Sequence, residues 1–329
     1  MLSDHRLPNS REDMYNILVT GVGSIIGYGI IDGLRKSTIP VSITGVDIYD
    51  DAYGAVIADH FEKGVRADAP EYIDFINQVV DQYKIDLIIP GIEQDLYAMW
   101  EHRDKISTKV VFGNELCMQM AKDKLFTFEY LYEKNIRLIP TLHHCTFSEC
   151  RDKFGLPFLL KPILSSASKG IELIRTEEEF DFYSRRAGGK CIYQKIVGSM
   201  EEEYTANVFG DGNGGLFDVI ILKRKLSGEG ATSKAVYTDN PLLLEYIKVL
   251  CTLLKPDGPM NIQLRTEAGV PYLLEINSRV SSSCSIRTSM GYNEPEMCLK
   301  YYLTGEKIVP APRIPGRAIR YIADYFIAT

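Results

Sequence analysis

The sequence has few histidines and no excess of basic residues, and these shortages exclude several kinds of protein. Only 5 of its 329 residues are histidine, and no G-x-S-x-G segment occurs, so a serine hydrolase of the Ser-His-Asp type is disfavoured. The formal net charge is −7, and an acidic chain without a basic stripe argues against nucleic acid as the main partner. No apolar run approaches the roughly 20 residues of a membrane span, so no membrane partner is expected.

Cysteines are scattered along the chain and form no C-x-x-C pair. Their number, 7, is odd, which favours a reduced protein of the cytoplasm. The first residues, MLSDHRLPNSRED, are polar and carry acids, so a signal peptide is not expected. His143, His144 and Cys145 are adjacent, and Cys150 follows them, but this spacing matches no standard zinc pattern. We therefore expect no metal site there.

Residues 258–283 predict a β-hairpin with one apolar and one polar face. Met260–Thr266 and Tyr272–Ile276 have the alternation of strands, and the connection 267–271 has a glycine at its middle. Side chains alternate between the two faces of a strand, so a turn centred on Gly269 puts four apolar residues on the same face of the hairpin. These are Ile262, Leu264, Leu274 and Ile276.

The polar face of the predicted hairpin brings oxygen ligands together. Gln263 is expected opposite Glu275, with Asn277 two residues along, and directly opposed Cβ atoms lie about 4.5–5.5 Å apart. Oxygen ligands of this kind suit Mg²⁺. Arg279 follows the strand, where its charge suits a negative group near the metal. An ordinary half-exposed hairpin with a surface carboxylate is the alternative interpretation.

These residues resemble the metal-binding segment of the ATP-grasp superfamily, in its carbamoyl-phosphate-synthase-like branch. There N-x-Q is followed further along the chain by E-x-N-P-R-x-S. The matching residues are Asn261, Gln263, Glu275, Asn277, Arg279 and Ser281. Ser278 departs from the pattern, since the family usually has proline there. The resemblance implies that Gln263, Glu275 and Asn277 hold Mg²⁺, with Mn²⁺ as the alternative ion, and that Arg279 stabilises the transferring phosphoryl group.

The same resemblance implies an ATP site. Lys124 at the start of a helix and Lys161 in the strand FLLKP would hold the phosphates, Lys161 also taking part in catalysis. Ser166 and Ser168 belong to a covering loop, SSASKG, which is poor in glycine. Glu203 is the best match to the residue that binds ribose, with Glu201 as its competitor. The residues expected along the rest of the nucleotide are Gln194, Lys195, Ile196, Val197 and Leu274.

Strand and helix alternate through the first 114 residues, which predicts a parallel, doubly wound sheet. A turn rich in glycine, GVGSIIG, follows the first strand, and Asp47 ends the second. That arrangement resembles a dinucleotide fingerprint, but the third glycine position falls at Ile26 and Gly27 comes one residue late. Two interpretations stay open, a tight structural turn and a nicotinamide site.

The sequence as a whole predicts an α/β fold, α+β in its C-terminal part. We expect an ATP-grasp fold with an N-terminal Rossmann-like (pre-ATP-grasp) domain over 1–114, a small subdomain over 115–190 and a C-terminal catalytic subdomain over 191–329. The resemblance implies an ATP- and Mg²⁺-dependent ligase that joins a small-molecule carboxylate to an amine through an acyl phosphate. The alternatives are a non-catalytic nucleotide-binding homologue and an NAD-dependent oxidoreductase. A homodimer is a further open expectation.

Overall fold

The computed structural model describes residues 14–164, 169–228 and 230–326, which divide into two units. The first unit holds the residues up to Val111, Asn293–Ile308 and the residues from Tyr325 onward. The second holds Phe112–Tyr292 and Val309–Asp324. The three-part division expected from the sequence stays a prediction.

The first unit is built on a parallel sheet whose described strands follow the order β3-β2-β1-β4-β5. Its strands are β1 (Tyr15–Thr20), β2 (Val41–Asp47), β3 (His60–Lys63), β4 (Leu87–Ile89) and β5 (Lys109–Val110). The helices among them are α1 (Ile25–Arg35), α2 (Gly54–Ile57), α3 (Tyr72–Tyr83) and α4 (Glu93–Glu101). Side chains on both faces of β1 are buried, as in sheets covered on both sides. The predicted Rossmann-like sheet is confirmed.

In the second unit, one antiparallel sheet has the strand order β6-β9-β7-β8 over the described residues. Its strands are β6 (Thr141–Leu142), β7 (Phe158–Pro162), β8 (Glu172–Ile174) and β9 (Cys191–Gln194). The helices in this stretch are α5 (Glu115–Lys122), α6 (Lys124–Glu133), α7 (Phe147–Phe154) and α8 (Glu177–Ala187). Phe158, Phe180 and Tyr193 pack into an aromatic core on one side of the sheet.

A second antiparallel sheet of this unit follows the order β14-β13-β10-β11-β12-β15 through its described strands. The strands are β10 (Glu203–Asp211), β11 (Leu216–Leu226), β12 (Thr232–Thr238), β13 (Asp257–Glu267), β14 (Val270–Asn277) and β15 (Arg317–Ile319). Helix α9 (Pro241–Leu254) buries Leu243, Ile247 and Leu250 against Ile262, Leu264 and the other apolar side chains of this sheet. The sequence predicted this helix with the same bounds.

After the hairpin the sequence predicts one helix over 288–303, but the structure has two helices in this region, so that prediction is wrong. They are α10 (Cys284–Ser289) and α11 (Glu294–Leu299), and a π-helical turn, Lys300–Thr304, follows the second. Gly291 lies between them with φ +82°, a conformation that glycine adopts readily. A Cβ there would lie 2.3 Å from the carbonyl oxygen of Pro312, so the chain breaks where its backbone approaches a neighbour closely. Across the residues described, no helix is long and apolar enough to span a membrane.

We expect the α9 core to show a large packing cost when it is truncated. Leu250 is fully buried, whereas its neighbour Val249 is 47% exposed. Leu250→Ala should lower the free energy of unfolding by about 2–5 kcal/mol, since it removes buried methyl groups and leaves a cavity. Val249→Ala is the matched control and should cost below about 0.5 kcal/mol. Urea unfolding of both variants measures the difference, and equal midpoints would contradict this account of the core.

Candidate functional site

The hairpin that the sequence predicted is formed by β13 and β14. Gln263 pairs with Glu275 and Asn261 pairs with Asn277, as the turn centred on Gly269 required. Gly269 has φ +79°, which suits glycine in a short turn. The pairing brings the proposed metal ligands side by side on one face.

A β-bulge after Gln263 changes the other half of the hairpin. Leu264 pairs with Leu273, not with Leu274 as the symmetric register predicted. Leu273 is therefore the residue buried in the core beside Ile262, while Leu274 is only half-buried. The expectation that Leu274 belongs to the apolar core face is wrong, because the extra residue of a bulge is left unpaired in the ladder.

Several of the predicted nucleotide residues line one cleft in the second unit. The cleft is partly open, and the empty space within it, open solvent included, amounts to about 490 Å³. The residues predicted from the sequence that line it are Lys124, Lys161, Gln194, Leu274 and Glu275. Apolar side chains, among them Phe128 and Ile192, complete the wall. A cleft with apolar walls and a few converging polar groups is the usual form of a small-molecule site.

Lys161 is the buried cation of this cleft. It lies on β7 and is 8% exposed. Burial lowers the pKa of its amine to about 8, and the charges of Lys124 and Arg265 act in the same direction. Glu275 opposes this shift because its carboxylate favours the charged amine. A buried lysine close to other cations is expected where an anionic ligand binds.

Glu275 supplies the carboxylate on the opposite wall. It is half-buried, and across the described parts of the chain no hydrogen bond or ion pair reaches its side chain. Its neighbours on the same face are amides. Oε1 of Gln263 accepts a hydrogen bond from Arg224 at 2.7 Å, and Nδ2 of Asn277 donates to Asn261 at 3.3 Å. This face therefore offers one carboxylate and two amide oxygens, all hard ligands.

Arg279 directly contacts Asn277, one of the proposed metal ligands. Its guanidinium donates to Oδ1 of Asn277 at 3.3 Å and to the carbonyl of Val280 at 3.2 Å. The side chain is half-buried just past the end of β14. Its position fits the predicted role of stabilising negative charge beside the hairpin, which stays a prediction.

Glu203 is buried in an ion-pair network that the sequence did not indicate. Its two oxygens accept hydrogen bonds from Arg224 at 2.9 Å and from Arg265 at 2.6 Å. Glu201, its competitor for the ribose, has a side chain that is 77% exposed and lies 3.9 Å from Lys225. Removing one partner of this buried ion pair would leave an uncompensated charge in the protein interior. The ribose assignment stays a prediction.

A second polar cluster that was not predicted from the sequence lies around Ser281, just past the hairpin. Arg287 is fully buried and donates to the hydroxyls of Ser281 and Ser283 at 2.8 and 2.6 Å. Asn207 on β10 also donates to Ser281, at 3.2 Å. The alternation of Glu203, Thr205 and Asn207 along β10 was the available signal, because polar residues at every second position indicate one polar face.

The segment predicted to contact adenine follows β9. Nε2 of Gln194 donates to Oγ1 of Thr141 at 3.1 Å, while its Oε1 is buried without a partner among the residues described. The Lys195 amide donates to the carbonyl of Pro140. Ile196 is half-buried and Val197 is buried. These four assignments stay predictions.

The tip of the hairpin holds this segment in place. Glu267, expected in the connecting loop, is the last residue of β13. Its carboxylate accepts a hydrogen bond from the Gly198 amide at 3.2 Å and lies 3.7 Å from the Lys195 amine. Ser166 and Ser168, predicted for the covering loop, lie outside the described residues.

In the first unit, the glycine-rich turn is stabilised by internal contacts. The Gly23 amide donates to one oxygen of Asp47 at 2.7 Å, and the Tyr49 amide donates to the other at 3.1 Å. A Cβ on Gly27 would lie 2.4 Å from the carbonyl oxygen of Gly21, so this glycine allows the close contact of α1 with the turn. These contacts favour the tight structural turn over the nicotinamide site, because Asp47 is already engaged by the backbone.

Two family models match the chain. Residues 200–325 match the model described as "ATP-grasp in the biosynthetic pathway with Ter operon". Residues 17–111 match the model described as "PylC-like, N-terminal domain".

Curated relatives match at low identity. The formate-dependent phosphoribosylglycinamide formyltransferase of Methanocaldococcus jannaschii is 27% identical over 194 residues, which are 55% of this chain and 46% of that protein. The carbamoyl phosphate synthase large chain of Caldanaerobacter subterraneus is 23% identical over 296 residues, 83% of this chain and 27% of that protein. The chain thus spans about half the length of the formyltransferases it matches and about a quarter of that synthase.

Solved structures agree over most of the chain. N5-carboxyaminoimidazole synthetase from Staphylococcus aureus, complexed with ADP, superposes with a TM-score of 0.69 at 14% identity and covers 93% of this chain and 80% of its own. The second structure is the biotin carboxylase domain of the Hydrogenobacter thermophilus 2-oxoglutarate carboxylase, in complex with MgADP, ADP and bicarbonate. It superposes with a TM-score of 0.70 at 16% sequence identity and covers 92% of this chain and 73% of its own.

The chain has the ATP-grasp fold. Residues 200–325 match an ATP-grasp model, and the chain is similar to carbamoyl phosphate synthase large chains and the other ligases named above, so the resemblance predicted from the hairpin is confirmed.

We expect the buried charge of Lys161 to make stability depend on pH. Its folded pKa of about 8 is below the unfolded value of about 10.4. Between these values the unfolded chain binds more protons, so stability rises with pH. Relative to Lys161→Met, the wild type should therefore gain on the order of 1–3 kcal/mol from pH 8 to pH 10.

Urea unfolding across this pH range measures that difference. Lys190→Met, which changes an exposed lysine, supplies the baseline. If Lys161→Met and Lys190→Met follow the same curve, the amine of Lys161 does not titrate as the buried geometry requires.

Proposed function

We propose that this chain is an ATP- and Mg²⁺-dependent ligase that forms an amide-type bond between a small-molecule carboxylate and an amine. The observation that carries the proposal is the cleft that Glu275, a carboxylate without an ion-pair partner among the residues described, shares with a buried lysine, Lys161. Neither charge is neutralised by a direct ion pair within the part of the chain that is described. A metal on the carboxylate and phosphates on the lysine would satisfy both.

The residues on the hairpin fit a magnesium ion. Glu275, Gln263 and Asn277 offer only oxygen ligands, and Mg²⁺ takes few ligands from protein and keeps the others for water and phosphate. When bound, Mg²⁺ would neutralise the charge that develops as the γ-phosphoryl group transfers. Mn²⁺ accepts the same ligands and is the alternative ion.

The two lysines of the cleft would hold the phosphates. Lys161 has lost most of its hydration by burial, and a phosphate would replace that hydration and favour the charged amine. Lys124 begins α6, so its amine and the first amides of this helix are both suited to an anion. Leu274, Gln194 and the segment up to Val197 would contact the base of the nucleotide.

Positioning and charge stabilisation account for the reaction. The γ-phosphoryl group of ATP passes to the carboxylate and gives an acyl phosphate. The amine nitrogen then attacks the carbonyl carbon, the bond from that carbon to the phosphate oxygen breaks, and the leaving phosphate takes up the proton that the nitrogen loses. Arg279, held against Asn277, would stabilise the transferring phosphoryl group and the acyl phosphate. In this scheme the residues of the cleft bind and orient the reactants.

We expect ATP, not NAD, to stabilise the folded protein. A ligand that binds only the native state raises the melting temperature by mass action. ATP with Mg²⁺ should therefore raise the melting temperature by several degrees at saturating concentration, since 100-fold excess over Kd is worth about 2.7 kcal/mol. A large shift with NAD and none with ATP would contradict the ligase and favour an oxidoreductase.

Glu275→Gln should abolish most of the activity without unfolding the protein. The change removes the one charged oxygen of the proposed magnesium site but keeps the size of the side chain. We expect turnover, measured as ADP release with pooled carboxylates and amines, to fall by at least about two decades, or about 2.7 kcal/mol of barrier. The Mg²⁺ concentration for half-maximal rate should rise, because a fixed metal charge is lost.

Glu245→Gln is the matched control for that experiment. Glu245 is an exposed acid on α9 of the same unit, and the described residues offer it no ion pair. Glu267 is unsuitable as a control because it holds Gly198 and Lys195. Equal activity of the two variants would remove Glu275 from the metal site. ATP binding without any ADP release from the wild type would favour the non-catalytic homologue.

A further inference from the structure

The turn that leads into α7 brings two cysteines together. Thr146 is the N-cap of this helix and forms a complete capping box with Glu149. Cys145 precedes the cap, and Cys150 is the fourth helical residue. In the hydrophobic staple these two positions carry apolar side chains that pack against each other at the start of a helix. Here both positions are occupied by thiols.

The two sulfur atoms are in direct contact. Sγ of Cys145 lies 3.0 Å from Sγ of Cys150. A disulfide bond is about 2.05 Å long, so a movement of about 1 Å would join them. The capping box fixes the backbone between the two cysteines, through the Thr146 amide at 2.7 Å from Glu149 Oε2 and the Glu149 amide at 3.3 Å from Thr146 Oγ1. Bond formation therefore needs little backbone movement.

One of the two thiols is accessible. Cys150 is fully buried within the aromatic core, whereas Cys145 is half-buried. Cys145 lines a pocket of about 750 Å³ that is open to solvent, together with His144, Glu149 and Tyr193. A small oxidant can reach Cys145 through this pocket, while Cys150 is placed behind it.

The contact also makes the outer thiol the more acidic of the two. The hydrogen bond from Cys150 lowers the pKa of Cys145 and outweighs the opposing effects of burial and of the Glu149 charge, while the charge of Lys153 acts in the same direction as the hydrogen bond. The same contact, with burial, raises the pKa of Cys150. Thiolate character and exposure decide which cysteine is oxidised first, so Cys145 is the nucleophile and Cys150 the resolving thiol.

We propose that Cys145 and Cys150 form a redox-sensitive pair that hydrogen peroxide oxidises to an intramolecular disulfide. The Cys145 thiolate attacks one oxygen of the peroxide, which gives a sulfenic acid and a hydroxide that takes up a proton as water. The Cys150 thiol then attacks the sulfenic sulfur, and a second water leaves. The two thiols lose two electrons and two protons, and the peroxide is reduced to two waters. A dithiol reductant reverses the bond.

Cys191 is the competing thiol. It lines the same pocket, but its Sγ contacts the hydroxyl of Tyr193 at 3.6 Å and not the sulfur of Cys145. Its place on β9 is fixed by pairing with Pro162 on β7. The geometry therefore assigns the bond to Cys145 and Cys150 and leaves Cys191 reduced.

Peptide mapping tests the pair directly. The wild-type protein is treated with hydrogen peroxide, alkylated under denaturing conditions and digested with trypsin, which cuts after Arg137 and Arg151. Both cysteines then lie in one peptide, residues 138–151. We expect this peptide to escape alkylation and to be lighter by two hydrogens than the reduced form. A dithiol reductant applied before alkylation should restore two alkylation sites.

Three variants separate the outcomes. Cys150→Ser should leave Cys145 as a sulfenic acid that a dimedone probe labels, and Cys145→Ser should abolish both labelling and the bond. Cys191→Ser should still form the bond, because that thiol has no part in it. Melting curves confirm that each variant is folded. Full alkylation of the wild-type peptide after peroxide, or a bond from Cys145 to Cys191, would overturn the proposal.

Discussion

The pairing of β13 with β14 is the constraint on which the site depends. The turn at Gly269 sets the register that places Gln263 opposite Glu275 and Asn261 opposite Asn277. A shift of one residue would send every one of these side chains to the opposite face of the sheet. The apolar side chains of Ile262 and Ile276, buried against α9, hold the register because a shift would expose them. The core beneath the sheet thus fixes the polar arrangement above it.

Two carboxylates in the second unit, Glu203 and Glu275, differ in burial and in their ion pairs. Glu203 is 5% exposed, and two arginines engage its oxygens, so it is satisfied in the protein itself. Glu275 is half-buried and is offered no ion pair within the described ranges. A buried charge is costly unless it is paired or coordinates a metal. The paired carboxylate of Glu203 therefore suits a structural role, and the carboxylate of Glu275 remains suited to a cationic ligand.

The sequence predicted the parts of the site that follow from period and turn chemistry. The alternation of residues 260–266 and 272–276 was enough to pair Gln263 with Glu275. The bulge at Leu274 was not predictable, because the sequence around it keeps an alternation compatible with either register. The pairing of β10 with β13 is a contact between distant residues, so the meeting of Glu203 and Arg265 could not be read from either strand alone. The division of the helix expected after the hairpin had a signal, Gly291, whose positive φ ends regular helical structure.

Two pockets lie on opposite faces of the four-stranded sheet, and alternate side chains of β9 line one or the other. On β9, Ile192 and Gln194 line the cleft that holds Lys161, whereas Cys191 and Tyr193 line the pocket of the thiol pair. Alternate residues of a strand lie on opposite faces, so the two sites are one sheet thickness apart. The loop that carries Cys145 continues directly from β6, where Thr141 accepts the hydrogen bond of Gln194. Only three residues of chain therefore separate Thr141, which contacts a side chain of the cleft, from Cys145 of the thiol pair.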